Sequence, residues 1–212
     1  MRQPRAEVLG SVRRPRLGYV VAVAALLDSE RRARSALSRL AKVELHLHLE
    51  GSIRPKLMLE LADRNNVDVG AHSVEELAAR YEFRDFTHFV ELYLLGMSAI
   101  RTGEDLLAVI GALVEELAAQ HVLYAEVTTT AYAHHVNGID RREYRDALDL
   151  GVRRARERGL EIRWIVDIPR SVEPPSEQWT AALLAGAGSP ADVVAIGLGG
   201  PEAEYPPDLY AG

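Results

Sequence analysis

Residues 42–51 read Lys-Val-Glu-Leu-His-Leu-His-Leu-Glu-Gly, with two histidines two positions apart between two glutamates. In an extended strand successive side chains point to opposite faces. Glu44, His46, His48 and Glu50 then share one face, and Val43, Leu45, Leu47 and Leu49 share the other, apolar one. A neutral imidazole is a preferred ligand of Zn²⁺, and two on one rigid strand can aim at the same ion. His46 and His48 are therefore candidate zinc ligands. The plainer reading is a pair of solvated side chains on a half-exposed strand, which a bare His-x-His match does not exclude.

Composition narrows the chemistry. The chain has 212 residues, 48% of them hydrophobic and 26% charged, which suits a globular domain with its own core. It contains no cysteine, so disulfides, thiolate metal sites and a cysteine nucleophile are excluded and any metal must rest on His, Asp and Glu. A cytoplasmic location fits that usage. Charge is uneven: residues 1–40 hold nine arginines against Glu7, Asp28 and Glu30, a net of +6, which leaves −12 on the other 172 residues. So acidic a domain is not built to neutralise phosphates, and we expect no nucleic-acid partner.

The elements that must position the histidines follow from periodicity. Arginines and then the apolar run 19–27 look like an export signal, but the run is too short to span a bilayer and no small-residue cleavage site follows. No membrane role is expected. Residues 1–40 read as a poorly ordered or spurious extension ending in a short helix near 29–41. After the strand, Pro55 opens a helix toward Asn65, and Ser73 with Glu76 caps a second. Phe86, Phe89, Val90, Tyr93, Leu94, Met97 and Ile100 repeat at helical spacing, as do Leu106, Ile110, Leu113, Val114 and Leu117, and both stripes are expected in the core. Strands are expected at 122–130, 160–168 and 193–198, with helices from Asp140 to Gly159 and from Ser176 to about Ala187, and a loop from 199 onward. His134 and His135 read as an exposed loop pair, and His72, His88 and His121 as structural.

Strand and helix alternate four times, which implies parallel strands. An open doubly wound sheet wants a glycine-rich turn after its first strand, and residues 49–53 have none. The expected fold class is α/β, a TIM-type β/α barrel that is incomplete, with about four of its eight strands. Such a half barrel leaves strand edges unpaired and its interior open.

Residues 42–53 resemble the first-strand motif of the adenosine deaminase family, 124–127 its second-strand segment, and 193–202 its fourth-strand segment ending in a glycine turn. The resemblance runs from about 41 to 203 and implies the N-terminal half of a deaminase barrel over 41–212. It implies that His46 and His48 are zinc ligands, with His48 also near the substrate. It places Glu50 where an acidic residue reaches the ribose and Gly200 where backbone meets the purine. The implied reaction is zinc-dependent hydrolytic deamination of a 6-aminopurine nucleoside, adenosine or aminodeoxyfutalosine, releasing ammonia. Residues 128–134 and the Gly-Leu-Gly-Gly turn are similar to the aminodeoxyfutalosine group. The family usually carries Asp at the position of Glu50 and acidic residues at those of Gly197 and Pro201, so simple adenosine is the less natural substrate. A third histidine ligand, the acid/base glutamate and an aspartate pair lie in the family's second half, so no catalytic residue is expected within these 212 and the chain is expected to be inactive alone. Two alternatives stay open: another metal-dependent amidohydrolase, and a non-catalytic truncated barrel.

Overall fold

The structure is a computed structural model and describes residues 17–170, 176–186 and 189–210, with side chains from residue 28 onward. The expectation of poor order over residues 1–16 lies outside the described residues. The chain divides into two units, residues 1–40 and 41–212. In the first, helix α1 spans Leu17–Arg39, starting earlier than the short helix expected near residue 29. Its apolar run is rich in Ala, Val and Leu with no proline to stop a helix, and Arg32–Asp28 and Arg34–Glu30 ion pairs follow at i,i+4 spacing. Among the described residues no helix is long and apolar enough to cross a membrane.

The second unit is built on four strands, β1 (Lys42–His48), β2 (Val122–Thr129), β3 (Glu161–Pro169) and β4 (Val193–Gly199). They pair in parallel in the order β1-β2-β3-β4. Between β1 and β2 lie a 3-10 turn (Glu50–Ser52) and helices α2 (Pro55–Asn65), α3 (Val74–Ala79), α4 (Phe86–Ser98) and α5 (Gly103–Ala119). Helices α6 (Ala131–Val136) and α7 (Arg141–Glu157) link β2 to β3, α8 (Ser176–Ala185) leads toward β4, and a 3-10 turn (Pro207–Tyr210) interrupts the tail expected as loop.

Local chemistry sets these boundaries. Ser73, Asp85, Thr102 and Asp140 each accept a backbone N–H at a helix start, and Thr102 with Asp105 forms a reciprocal capping box. Asn66 ends α2 in the left-handed conformation. Helix α5 packs on α7 and β2, and α7 on β3. Gly151 lets the two helices close up, since a Cβ there would stand 2.5 Å from Ile110 Cγ2. Ala125, Val127, Ile162, Trp164 and Val166 lie buried on the face toward the helices.

Two expectations fail. The strict alternation expected along β1 breaks: its register on β2 shifts between Glu44 and Leu47, which sets Glu44 opposite the buried Ala125 and Val43 opposite Tyr124, and while Leu49 is fully enclosed, Val43 and Leu45 are 63% and 59% exposed. The other edge strand matches it, with Val194 and Ile196 52% and 59% exposed. Strands β1 and β4 each have one neighbour in the sheet, so apolar residues there lack the cover that β2 and β3 receive. The α4 stripe is only partly core as well. Leu92 and Met97 are buried, whereas Phe86, Phe89 and Leu94 are exposed. A helical period marks which side chains share a face, and it does not guarantee that the face is covered.

Replacing Leu45 and Ile196 together with threonine should change the unfolding free energy by no more than about 0.5 kcal/mol, whereas Trp164→Ala should cost about 3–5 kcal/mol. Urea unfolding measures both. A double variant as damaged as Trp164→Ala would mean that these edges are covered in solution.

Candidate active site

The carboxyl ends of all four strands lie at one end of the sheet, the end at which a β/α barrel gathers its working side chains. His46 and His48 stand there on one face of β1 with ring centroids 5.5 Å apart, and the His48 ring meets that of Tyr93 edge-on at 6.3 Å. No hydrogen bond ties either imidazole among the described residues. Two neighbouring untied imidazoles on a strand are of a kind that could give a Zn²⁺-type ion two of its ligands. Among the described residues no third His, Cys, Asp or Glu joins them in a group that would hold an ion.

Glu50 follows β1 directly and is only 2% exposed. Its Oε1 accepts from Thr129 Oγ1 at 2.9 Å, from the Thr130 backbone N–H at 3.1 Å and from His134 Nε2 at 2.7 Å, while Oε2 accepts from Tyr93 Oη at 3.0 Å. Tyr144 Oη backs Thr129 Oγ1 at 3.4 Å. Burial alone would raise the pKa of this carboxyl, but the hydrogen bond and charge of His134, with the backbone N–H groups, outweigh it and hold the pKa below the ordinary value. Glu50 is thus a carboxylate, which only accepts hydrogen bonds, and His134 Nε2 must carry the proton it shares.

His134 is therefore not the exposed loop residue that the sequence suggested. Residues 131–136 fold into α6, which seats His134 fully buried, while His135 is exposed and stacks on Trp179 at 4.7 Å. The sequence carries no local sign of this, because the partner lies 84 positions away. Asp167 was missed too, although a lone charge near the end of an apolar strand was a visible signal. It is 4% exposed, and its Oδ1 is buried with no hydrogen-bond partner among the described residues. Burial pushes its pKa up, with the Glu50 charge adding to the rise and the Thr130 hydroxyl and the His48 and His134 charges opposing it.

Gly200 sits in the turn after β4 at φ +113°, where a side chain would be strained and where its Cβ would lie 3.2 Å from that of Arg170. Its neighbour Gly199 accepts a 2.7 Å bond from the Arg170 backbone N–H. The acidic side chain that the resemblance leads one to expect at 197 is absent. Gly197 is instead the cross-strand partner of Asp167, and a Cβ there would touch that of Asp167 at 3.4 Å. On the other flank Tyr81, Phe83, Phe89, Leu92 and Tyr93 line a shallow cleft beside Glu50. A wider depression along α2 is lined by Asp63, Asn66, Asp68 and His72 and contains none of these groups.

Comparison with known proteins bears on this arrangement. The sequence model of the family described as adenosine deaminase matches residues 41–212. An aminodeoxyfutalosine deaminase of Streptomyces avermitilis is 37% identical over 81% of this chain and 49% of its own length. An adenine deaminase of Rhodospirillum rubrum is 34% identical over 82% of this chain and 52% of its own. Among solved structures, an adenine deaminase from Arthrobacter aurescens superposes with a TM-score of 0.71 at 29% identity, covering 78% of this chain and 50% of that one. An amidohydrolase from Burkholderia ambifaria with bound Zn superposes at 0.73 and 26% identity, covering 84% and 49%. The chain spans about half the length of the curated relatives it matches, and its four-stranded sheet is an incomplete barrel beside theirs.

Removing the partner of a buried charge costs about 3–5 kcal/mol, so His134→Ala should destabilise by that order and His134→Gln, which keeps a donor, by less. The pH dependence has a definite sign. A carboxyl whose folded pKa is depressed contributes stability above its unfolded value, near 4.5 for Glu50, and loses it as the pH falls. Asp167, with its pKa raised above 3.8, acts in the opposite sense. Urea midpoints taken from about pH 7 down to about pH 3 should fall for the wild type and fall less for Glu50→Gln. Equal acid slopes would remove Glu50 as the source.

Proposed function

The chain belongs to the adenosine deaminase family, and from that premise we propose that it supplies the first half of the active site of a hydrolytic 6-aminopurine deaminase. One observation carries the reading: two untied imidazoles stand side by side at the carboxyl end of β1, and Tyr93 links the second of them to the buried, fixed carboxylate of Glu50. The net reaction replaces the amine on a ring carbon with an oxygen from water and releases ammonia. His46 and His48 would hold Zn²⁺, which when bound makes water a nucleophile near neutral pH. The zinc recorded in the Burkholderia ambifaria amidohydrolase supports that assignment.

The chain's own residues would bind and orient. Tyr93 touches both sides of the site, its ring against His48 and its hydroxyl on Glu50. It fixes the imidazole relative to the carboxylate. In this reading Glu50 faces the sugar of a bound nucleoside. Oε1 is saturated by three donors, so Oε2, with one bond from Tyr93, is the oxygen left to accept a hydroxyl. The exposed aromatic side of α4 suits an apolar or aromatic substituent on that sugar, and backbone at Gly200 would border the purine. Likeness to the aminodeoxyfutalosine deaminase supports a nucleoside larger than adenosine, and the adenine deaminases among the relatives make the free base the alternative.

Calorimetric zinc titration should give one weak site per chain, weakened at least tenfold in His46→Ala and in His48→Ala. The 212 residues alone should release no ammonia from adenosine, adenine or aminodeoxyfutalosine. A chimera joining them to the second half of the Streptomyces avermitilis relative should release it in a zinc-dependent way. A folded, zinc-loaded chimera inactive on all three would sink the deaminase reading, and turnover by the 212 residues alone would refute the need for a second half.

A further inference from the structure

Among the described residues Arg170 is the one buried arginine. It follows β3 directly, and 5% of its side chain is exposed. Enclosing a guanidinium is costly unless its donors are used. Nη1 donates to the Tyr205 carbonyl and Nη2 to Glu202 Oε2 at 3.2 Å, but Nε is buried with no partner among the described residues. Glu202 is itself largely in water, so the ion pair contributes little. An apolar side chain would leave no donor unpaired, and replacements of this kind are often neutral or stabilising. Stability alone therefore does not account for Arg170.

Its contacts converge on the loop after β4. The Arg170 backbone N–H donates to the Gly199 carbonyl at 2.7 Å, and its Cβ stands 3.2 Å from where a Cβ on Gly200 would lie. The backbone thus meets the loop where it starts. The guanidinium meets it further on, at Glu202 and at Tyr205, whose own N–H closes a turn onto the Pro201 carbonyl at 3.1 Å. Among the described residues no other side chain hydrogen-bonds to residues 200–205. One residue brackets the loop. A planar fork suits that task, because it serves two acceptors in fixed directions at once, where a lysine ammonium is a single charge on a flexible stem.

Resting on the deaminase reading, in which backbone at Gly200 borders the purine, we propose that Arg170 is a positioning residue: its guanidinium sets the course of residues 200–205, and through Gly200 the backbone edge that a 6-aminopurine ring meets. Arg170 acts only through that backbone and belongs neither to the zinc ligands nor to the groups that touch the base. Losing the fork while keeping the Cβ leaves the β3–β4 pairing in place, so the effect of Arg170→Ala should fall on the loop and not on the sheet.

Hydrogen exchange on the 212-residue chain reads the grip, and kinetics of the zinc-loaded chimera with the Streptomyces avermitilis second half read its consequence. In Arg170→Ala the Tyr205 amide should exchange about tenfold faster or more, the size of one or two released hydrogen bonds, with the β2 amides within about twofold of the wild type. In the chimera, acting on whichever of adenosine, adenine and aminodeoxyfutalosine it turns over fastest, the same change should raise KM about fivefold or more and leave kcat and zinc affinity within about twofold. A merely destabilised protein would instead lose active molecules, lowering kcat at an unchanged KM. Arg170→Lys keeps the charge without the fork and should recover part of both losses. If Arg170→Ala does not fold, Arg170→Lys against the wild type decides by the same split. Unchanged Tyr205 exchange, β2 amides that speed up as much as Tyr205, or an unchanged KM would each overturn the inference and leave the deaminase reading standing. A folded, zinc-loaded wild-type chimera inactive on all three compounds would overturn the deaminase reading, and this inference with it.

Discussion

The carboxylate of Glu50 is the point on which this end of the molecule depends. Four donors reach it from four places: Tyr93 on α4, Thr129 on β2, the Thr130 backbone beyond β2, and His134 on α6. A charge enclosed in protein is costly unless its lone pairs are filled, and removing a single donor leaves the whole penalty behind. Helix α4, strand β2 and helix α6 are thus tied together by one side chain that follows β1 directly. That also fixes the histidines, since His48 is two residues before Glu50 and its ring lies against the same Tyr93. Rigidity of this kind is what a metal or substrate site requires, because ligands must be in place before the ligand arrives.

The sheet explains why such a hub sits in an otherwise open structure. A parallel sheet is stable when both faces and both edges are covered. Here the helix-facing side of β2 and β3 is covered and closely packed, with Trp164, Ile162 and Val127 fully enclosed. The outer strands are not: Val43, Leu45, Val194 and Ile196 lie open, and so does Ala195 on the inner face. The chain matches half the length of its relatives, and the uncovered apolar side chains fall on the two strands at which a barrel of twice the size would continue. Covalent connectivity and the Glu50 network give the first half its local order, while barrel closure would have to cover those edges.

How much of this was legible in the sequence depended on the range of the interaction involved. The strands and the helix starts at Ser73 and Asp140 are written within four or five residues, and they appear close to where propensity puts them. His46 and His48 share a face because of a period of two, which is also local. What failed was long-range. His134 looked like part of a polar loop because its partner is on another strand's end, and no spacing rule links residues 84 apart. Phe86 and Phe89 looked like core because a helical stripe records amphipathicity and not what lies opposite. Asp167 differs from both. Its charge near the end of the strand could be read directly, but its burial against the two glycines of the neighbouring strand could not.

Glu50 and Asp167 together make the strongest physical case that this end of the sheet is a site and not simply a well-packed corner. Both are nearly buried carboxyls within electrostatic reach of one another, yet their environments push them in opposite directions, Glu50 toward ionisation by His134 and its other donors and Asp167 away from it by burial. A fold selected only for stability has little reason to keep the second. An apolar residue of similar size would avoid both the unpaired oxygen and the like charge nearby, and such replacements are often neutral or stabilising. Pairs of carboxyls held in unequal environments are how proteins assign two different tasks to one kind of side chain. In this chain the satisfied member holds the scaffold together, and the other packs against the backbone of Gly197 and Gly199 with one oxygen unpaired among the described residues.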